Sequence, residues 1–375
     1  MRTSHVKLVL MFLAGSALAA ALAAQPLYRV TDLGRLPGFT YMTYPLAVNN
    51  RGEVVGLAYG TATYQAFVWD KTNGLRALPP VPGEEGRSST AVGINDLGEI
   101  IGYSGQSGGT HLVGWLYRNG EYTLLGTIPG YDGSLPAAIN NHTEIVGTAT
   151  GRDSLAPYTN FYWSPATGMI NVVPGGETEF YDINDAGVIT GGVRSGAVPA
   201  PGITTWDMRS GFVIDLGSLP DSQLSFGYSI NESGVVAGDS IYISTGGHRT
   251  AHAVFASIEV GVKDLALYQA LATSINERGE IVGSRAFASN NTYYSWLFSD
   301  ALGLIPDLRA VVEDAAYFGR ISDARDINDL GQIVAIGDNG HFPGDLSRRG
   351  FLLTPFLFDD GFESGSMAAW SLVSE

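Results

Sequence analysis

The feature that most restricts the fold is a motif that recurs seven times along the chain. Its asparagines, each preceded by isoleucine or valine, are spaced by 46, 45, 44, 47, 45 and 52 residues. They are Asn49, Asn95, Asn140, Asn184, Asn231, Asn276 and Asn328. A glycine follows three residues later in every repeat but one, which has Thr143, and another follows seven residues later except at Ala335. Periods of about 40 to 50 residues are typical of proteins built from repeated supersecondary units.

Each motif predicts a β-hairpin at the start of a four-stranded unit. An Asn side chain at the first position of a type I turn accepts from the backbone two residues on, and Gly at the fourth position takes the left-handed conformation. Paired apolar residues follow, as in Ile100-Ile101, which is typical of a strand in a sheet covered on both faces. An aromatic strand, a glycine turn and a further strand complete the repeat. Four short antiparallel strands in each repeat predict a propeller blade.

The strand count predicts how such a ring closes. A fourth strand follows each of the first six aromatic strands, but only a tail follows the seventh, at residues 351–354. Residues 27–37 resemble the fourth strand at 213–220, so we expect the N-terminal strand to complete the last blade. The predicted fold is therefore all-β: a seven-bladed β-propeller of four-stranded antiparallel blades over residues 25–357, closed by the N-terminal strand.

The two ends of the chain differ from the repeats. Residues 1–24 combine Arg2 and Lys7, an apolar run and a series of alanines, which predicts a secretory signal peptide and a secreted or periplasmic mature protein. No later run is apolar for long enough to span a bilayer. Residues 358–375 contain Gly-Phe-Glu-Ser-Gly followed by Trp370, and resemble a short tail found at the ends of many secreted bacterial proteins.

Composition excludes several functional classes. The chain has no cysteine, which rules out disulfides, thiolate metal sites and cysteine nucleophiles. It has 21 basic and 37 acidic residues, and removal of Arg2 and Lys7 leaves a net charge of −18. This balance argues against a nucleic-acid partner. We expect a monomer.

The Ile-Asn-x-x-Gly-x-Ile/Val-Val-Gly hairpin and the following Ala-Phe-x-Trp-like strand resemble the extracellular HAF-repeat family of bacteria. His252-Ala253-Val254-Phe255 and Gln65-Ala66-Phe67 stand where that family has its His-Ala-Phe triplet, each with a small departure. The resemblance covers about residues 27 to 355. It implies an exported repeat protein and carries over no catalytic residue.

Variable connections indicate where a ligand would bind. The Asn-x-x-Gly turns and the short glycine turns are monotonous, whereas the connections at the other edge of the predicted disc differ in length and chemistry. Aromatic and acidic residues lie close ahead of the inner strands on that side. The candidate ligand-binding residues are Tyr44, Tyr131, Asp132, Phe180, Phe226 and Tyr228. Stacking platforms beside carboxylates suit a glycan or a peptide, and we expect a non-catalytic binding module.

Two alternatives stay open. Loop carboxylates such as Glu84-Glu85 and Glu313-Asp314 would serve a polysaccharide hydrolase or lyase if two of them converged in one pocket with raised pKa values. Asp182 and Asp326, each two residues before a repeat asparagine, resemble ligands of calcium loops, but the other repeats have Ala, Gly or Ser there. The sequence therefore predicts no metal or cofactor site common to the repeats, and leaves room for isolated calcium ions.

Overall fold

A computed structural model of the chain describes residues 27–106, 112–151, 158–172, 178–193, 202–287, 292–313, 315, 319–338 and 348–356. The elements named within these ranges are 28 strands and one 3-10 turn, Leu308–Val311. All strand pairs in the sheets are antiparallel. The all-β prediction is thereby confirmed. The predicted signal peptide and the 358–375 tail lie outside the described residues.

The strands follow one another in seven units, each containing one repeat asparagine. The first strand of the chain, β1, is Tyr28–Asp32. Unit I comprises β2 (Met42–Val48), β3 (Val54–Tyr59), β4 (Tyr64–Asp70) and β5 (Gly74–Ala77). Unit II comprises β6 (Ser88–Ile94), β7 (Ile100–Gly105), β8 (Leu112–Arg118) and β9 (Glu121–Leu124). Unit III comprises β10 (Gly133–Ile139), β11 (Ile145–Thr150), β12 (Thr159–Ser164) and β13 (Gly168–Asn171).

The remaining units repeat this order. Unit IV comprises β14 (Thr178–Ile183), β15 (Val188–Val193), β16 (Ile203–Asp207) and β17 (Val213–Gly217). Unit V comprises β18 (Leu224–Ile230), β19 (Val236–Ile243), β20 (Arg249–Ser257) and β21 (Gly261–Tyr268). Unit VI comprises β22 (Ala270–Ile275), β23 (Ile281–Phe287), β24 (Thr292–Ser299) and β25 (Gly303–Ile305). Unit VII comprises β26 (Arg320–Ile327), β27 (Ile333–Asp338) and β28 (Arg349–Pro355).

Strand β1 supplies the fourth strand of the sheet of unit VII, whose order is β1-β28-β27-β26. The ladder runs from Tyr28 opposite Pro355 to Asp32 opposite Phe351. Units IV and V form one eight-stranded sheet because a single residue pair, Gly192 and Phe226, links β15 to β18. Each of the other units forms a four-stranded sheet of its own.

The hydrophobic core is divided among the spaces between successive units. Val55 and Ala66 of unit I pack with Ala91 and Trp115 of unit II, for example. A corresponding cluster joins unit VII to unit I, where Val334 and Leu352 meet Val54, Phe67 and their neighbours. The paired apolar residues of the second strands therefore point to opposite faces of their sheets, and each face packs against a neighbouring unit, as the sequence pattern predicts.

A β-bulge recurs at one place in the first strand of every unit. In unit I, Pro45 pairs with Gly56 and Ala47 with Val55, which leaves Leu46 as the extra residue. The glycine seven residues after the asparagine lies opposite this bulge. In six units a Cβ on that glycine would lie 1.9–2.2 Å from a carbonyl oxygen of the first strand, so only glycine fits. We call the extra residues the bulge residues; they are Leu46, Val92, Ala137, Tyr181, Tyr228, Thr273 and Arg325.

Candidate functional site

The repeat asparagines form a hydrogen-bonded series through all seven units. Each side-chain amide donates to the main-chain oxygen of the repeat asparagine in the next unit, at 2.8–3.2 Å, and Asn328 donates back to Asn49. Each Oδ1 accepts from the backbone N–H four residues on, at 2.8–3.0 Å. All seven side chains are buried. Each asparagine therefore builds its own turn and also links two units.

A second series runs through the residues that follow the asparagines. The backbone N–H of each donates to the side-chain oxygen of its counterpart in the next unit, at 2.6–2.9 Å. The members are Asn50, Asp96, Asn141, Asp185, Glu232, Glu277 and Asp329. Together with the asparagines they surround a cavity of about 300 Å³, which we call the turn cavity. Burial and the neighbouring carboxylates raise the pKa of Glu277.

A second cavity of about 210 Å³ adjoins the turn cavity at Ile94 and Ile139, which line both. All seven bulge residues line it, so we call it the chamber. A bulge adds a residue that the ladder does not pair and thereby redirects its side chain. The recurrent bulge thus brings one variable side chain from each unit to the same space.

The chamber wall is divided by polarity. The lining residues from units I to III are all aliphatic or glycine: Leu46, Ala47, Val92, Gly93, Ile94, Ala137, Ala138 and Ile139. Those from units IV to VII are all polar: Tyr181, Asp182, Tyr228, Ser229, Thr273, Ser274, Arg325 and Asp326. The two halves offer apolar contact on one side and hydrogen bonds on the other.

Two aspartates of the polar half link neighbouring units. Asp182 links unit IV to unit V, and Asp326 links unit VII to units VI and I. Asp182 accepts from the backbone N–H groups of Ile183 and of Ile230 in unit V, both at 2.9 Å. Asp326 accepts from Val48 N–H of unit I at 2.9 Å and from the Ser274 hydroxyl at 2.6 Å. Burial raises the pKa of Asp182 to about 7 and raises that of Asp326. Backbone amides therefore occupy the oxygens that the calcium interpretation assigned to an ion, and in the described ranges no three His, Cys, Asp or Glu side chains group to hold a metal.

Tyrosines near the chamber are paired with carboxylates. Tyr44 donates to Asp323 at 2.9 Å, and the Arg325 guanidinium lies over the Tyr44 ring at 5.0 Å from its centre. Burial and Asp323 raise the pKa of Tyr44 to about 12. Tyr181 donates to Glu179 in unit IV. These pairs fix the tyrosine hydroxyls as donors to protein acids.

Asp239 lies behind Tyr228 and differs from the other carboxylates. Only 1% of it is exposed, and its hydrogen-bonding neighbour is the Tyr228 hydroxyl. Burial raises its pKa to about 7, and the Tyr228 hydroxyl lowers it in part. A buried carboxylate without a cationic partner is costly to ionise. Asp239 is therefore a site of uncompensated negative charge whenever it is deprotonated.

Of the predicted ligand-binding residues, the structure brings Phe226 and Tyr228 together. Their ring centres are 6.3 Å apart, and Tyr181 joins them at 6.4 Å from Phe226 and 5.1 Å from Tyr228. Tyr44 contacts the chamber through Arg325. Tyr228 itself lines the chamber.

The other predicted residues lie elsewhere. Phe180 is 1% exposed and packs on Trp206 with ring centres 4.9 Å apart, so its ring belongs to the core between units III and IV. Tyr131 packs against the cluster between units II and III, and Asp132 is next to it, where its N–H donates to Thr150. Neither lines the chamber.

Sequence reasoning missed Tyr181 and Arg325 and assigned Asp182 and Asp326 to another role. The available signal was the residue three before each repeat asparagine, which changes from Leu, Val and Ala in units I to III to Tyr, Tyr, Thr and Arg in units IV to VII. The residue two before each asparagine is acidic in units IV and VII alone, a pattern that indicated an isolated metal ligand.

The loop carboxylates of the enzyme alternative do not meet in the chamber. Glu84 pairs with Arg87 at 3.2 Å, and its neighbour Glu85 accepts from Gly83 N–H at 3.1 Å. Backbone N–H groups of Glu85 and Gly83 lower the pKa of Glu85. Glu313 accepts from Val30 N–H at 3.0 Å in unit VII, and Asp314 lies outside the described residues.

A membrane-spanning helix is not found: no helix within the described ranges has the length and apolar character that crossing requires.

The structure resembles solved β-propeller proteins. No family model matches the sequence, and no curated protein is similar to it. Oligogalacturonate lyase in complex with manganese is 12% identical with a TM-score of 0.56, over 87% of this chain and 93% of that one. Oligogalacturonate lyase from Vibrio parahaemolyticus is 10% identical with a TM-score of 0.56, over 88% and 94%. TolB from Acinetobacter baumannii is 14% identical with a TM-score of 0.47, over 67% of this chain and 62% of that one. At such identities the likeness concerns the fold alone, and the chain has a propeller-like all-β architecture.

Proposed function

We propose that the chain is a seven-bladed β-propeller closed by β1, exported after removal of residues 1–24 and related to the HAF-repeat proteins. Three observations support closure. Strand β1 pairs with β28, the asparagine series returns from Asn328 to Asn49, and a core cluster joins unit VII to unit I. A ring closed in this way leaves only short outer edges.

We propose that this propeller is a non-catalytic module that binds the end of an extracellular glycan in the chamber. The observation that carries the proposal is the polarity division of the chamber wall. A sugar ring has apolar C–H faces and a rim of hydroxyl groups. Its C–H face would contact the aliphatic wall of units I to III, and its hydroxyl groups would contact the polar wall of units IV to VII. The hydroxyl hydrogens of Thr273 and Ser274 are donated within the protein. The lone pairs that remain on these hydroxyls and on the two aspartates would accept hydrogen bonds from sugar hydroxyls.

The size of the chamber limits what enters it. A volume of about 210 Å³ corresponds to about seven water molecules at ~30 Å³ each, below the ~300–1,000 Å³ usual for drug-sized ligands. The chamber therefore suits one sugar ring, and a longer glycan would place only its terminal residue inside.

The test is an array of immobilised oligosaccharides probed with the full chain and with Ala137→Tyr. Tyrosine is the bulge residue of units IV and V, so the repeat tolerates it, but in unit III its ring would fill much of the chamber. We expect the variant to lose the glycans that the parent retains. Thr72→Tyr, at an exposed turn of unit I, is the matched control and should keep them. Unchanged retention by Ala137→Tyr would contradict the chamber as the site, and retention of peptides alone would replace the glycan with a peptide.

A polysaccharide hydrolase or lyase is the second candidate. Asp182 and Asp326 favour it, because both line the chamber and both have raised pKa values. Their oxygens already accept backbone and hydroxyl hydrogen bonds, which favours a structural role. Incubation with soluble polysaccharides followed by measurement of new reducing ends decides between the two. Turnover that Asp326→Asn abolishes would support the enzyme.

A further inference from the structure

Three tyrosines form a row on one face of the sheet of unit I. Tyr44 is on β2, Tyr59 ends β3 and Tyr64 begins β4. The ring centres of Tyr44 and Tyr59 are 6.4 Å apart, and those of Tyr59 and Tyr64 are 4.6 Å apart. Tyr59 lies opposite Tyr64 in the strand ladder, and residues that lie opposite each other point to the same face of a sheet. The row therefore crosses three strands, outward from the strand that carries the bulge residue.

The inner end of the row contacts the wall of the chamber. The guanidinium of Arg325, which lines the chamber, lies over the Tyr44 ring at 5.0 Å from its centre. Tyr59 is half-buried, and burial raises its pKa, with Tyr64 and Tyr103 of unit II adding to the rise. The middle of the row therefore lies between units I and II, with part of its surface exposed.

The outer end of the row borders another cavity, of about 190 Å³, which we call the rim cavity. Tyr64 lines it together with Phe39, from the connection into unit I, and with part of the connection 78–87 into unit II. None of the described residues that line it also lines the chamber. Its two charged residues, Glu84 and Arg87, pair with each other at 3.2 Å. The rim cavity therefore offers aromatic contact and hydrogen bonds without net charge.

Hydrogen bonds within the protein hold the connection that forms this wall. The Glu84 N–H donates to the Val81 carbonyl at 2.9 Å, and the Arg87 N–H donates to the Glu84 carbonyl at 3.1 Å. Val81 is buried in the core cluster between units I and II, and the Tyr122 hydroxyl donates to the Pro79 carbonyl at 2.7 Å. A wall that is already ordered loses little conformational entropy when a ligand binds.

We propose that the glycan bound in the chamber is an extended neutral chain, such as a β-1,4-linked glucan, which continues along the tyrosine row and places a further sugar ring in the rim cavity. This inference rests on the proposed glycan-binding function and specifies its substrate class. The chamber, of about 210 Å³, suits one sugar ring, so the rest of a chain lies outside it. The rim cavity is of similar size and suits one ring as well.

The chemistry of the row fits such a chain. The negative faces of aromatic rings attract the C–H groups on the faces of sugar rings, and the Glu84–Arg87 pair supplies acceptors and donors for hydroxyl groups. The chain has 37 acidic and 21 basic residues, an excess of negative charge that disfavours a polyanionic glycan.

Calorimetric titration of the full chain with β-1,4-linked glucose oligomers of two, four and six residues tests the inference. We expect the hexamer to bind at least about tenfold more tightly than the dimer, a difference of ~1.4 kcal/mol, because only the longer chain reaches the rim cavity. Equal affinities for the three lengths, all abolished by Ala137→Tyr, would overturn the extended site and leave the binding function standing. No measurable binding of any length would overturn both.

Hexagalacturonate is the anionic probe in the same titration. We expect it to bind at least about tenfold more weakly than the glucose hexamer, because the excess of acidic residues repels its carboxylates. Binding as tight as that of the glucose hexamer would contradict a neutral chain.

Substitutions in the row assign the gain with length to residues. Tyr59→Leu and Tyr64→Leu each remove one ring and should bring the hexamer to within about threefold of the dimer. Tyr59→Phe keeps the ring and should keep the gain. Arg87→Ala should weaken the hexamer by about threefold. Tyr293→Leu, at an exposed tyrosine of unit VI, is the matched control and should keep the full gain.

The dimer serves as the internal control for folding in every variant. Its affinity should stay unchanged, because it occupies the chamber and does not reach the rim cavity. A gain with length that survives both Tyr59→Leu and Tyr64→Leu would contradict the role of the row.

Discussion

The turn cavity and the chamber are built from the same seven strands but by opposite rules. At the turn cavity every unit contributes an asparagine, and each asparagine's hydrogen-bonding groups are used within the protein. At the chamber the units contribute seven bulge side chains of six types. A position that repeats unchanged is fixed by packing and hydrogen bonding, whereas a position that varies between units is available for contact with a ligand. The turn cavity therefore contributes stability, and the chamber is the end where we propose that the ligand binds.

Removal of residues 25–38 has the largest expected effect, because it removes the strand that we propose closes the ring and no residue that lines either cavity. Tyr28, Leu33 and Leu36 are each less than 5% exposed, and burial of such side chains is worth ~1.5–3 kcal/mol apiece. We expect a loss of roughly 5 kcal/mol or more, which is comparable with the whole stability of many domains. Urea unfolding and size-exclusion chromatography should show a destabilised, aggregating protein.

A circular permutant provides the control for this deletion. Placing residues 25–38 after Pro355 restores the strand beside β28 and should restore a cooperative unfolding transition. A truncated protein that begins at Thr40, stays monomeric and melts within a few degrees of the parent would show that β1 is dispensable.

Substitution of one repeat asparagine tests how much the hydrogen bonds around the turn cavity contribute to stability. Asn231→Ala removes the acceptor for Val235 N–H and the donor to Asn276 in unit VI. Each buried group left without a partner costs ~1–3 kcal/mol, so we expect a loss of about 2–5 kcal/mol in the free energy of unfolding. Asn73→Ala, at an exposed turn of unit I, should cost less than ~1 kcal/mol. Equal losses in the two variants would mean that the inter-unit bonds contribute nothing.

Asp239, next to the chamber, makes the stability of the fold depend on pH. The pKa of Asp239 is about 7 in the folded protein and 3.8 without the fold, so the folded state holds its proton more tightly. Its contribution is fully present below about pH 4 and is lost as the pH rises through 7, with a slope of up to ~1.4 kcal/mol per pH unit. Asp239→Asn should flatten that slope and be more stable than the parent at pH 8. An unchanged slope would show that Asp239 is hydrated rather than isolated.

Most of the architecture was predictable from the sequence because the same motif recurs in all seven repeats. The Asn and Gly positions located the hairpins, and the likeness of residues 27–37 to 213–220 predicted the pairing of β1 with β28. The bulge was not predicted, since nothing in a single repeat shows that Pro45 and Ala47 pair with adjacent residues while Leu46 does not. Without knowledge of the bulge, nothing in the sequence indicates that the seven bulge residues line one cavity. The position of an aromatic residue near a variable face predicts Tyr44 and Tyr228, but it predicts Phe180 equally well, and Phe180 belongs to the core.

The one departure from the uniform turn gives the smallest expected effect. Thr143 stands where six units have glycine, and its φ of 60° is in the left-handed region, which costs a β-branched residue ~1–2 kcal/mol. Its hydroxyl donates to the buried carboxylate of Glu99 in unit II at 2.8 Å, and hydrogen bonds to charged groups are worth ~1.5–3 kcal/mol. The two effects nearly cancel, so Thr143→Gly should change the free energy of unfolding by less than ~1 kcal/mol. Gly234→Thr is the matched converse: φ is +75° and nothing lies within 4 Å of its added Cβ, so the conformational cost stands alone at ~1–2 kcal/mol. Urea unfolding of both variants measures the difference. If Thr143→Gly stabilised the protein by as much as Gly234→Thr destabilises it, the hydrogen bond to Glu99 would add nothing to stability. Threonine at this turn would then be merely tolerated.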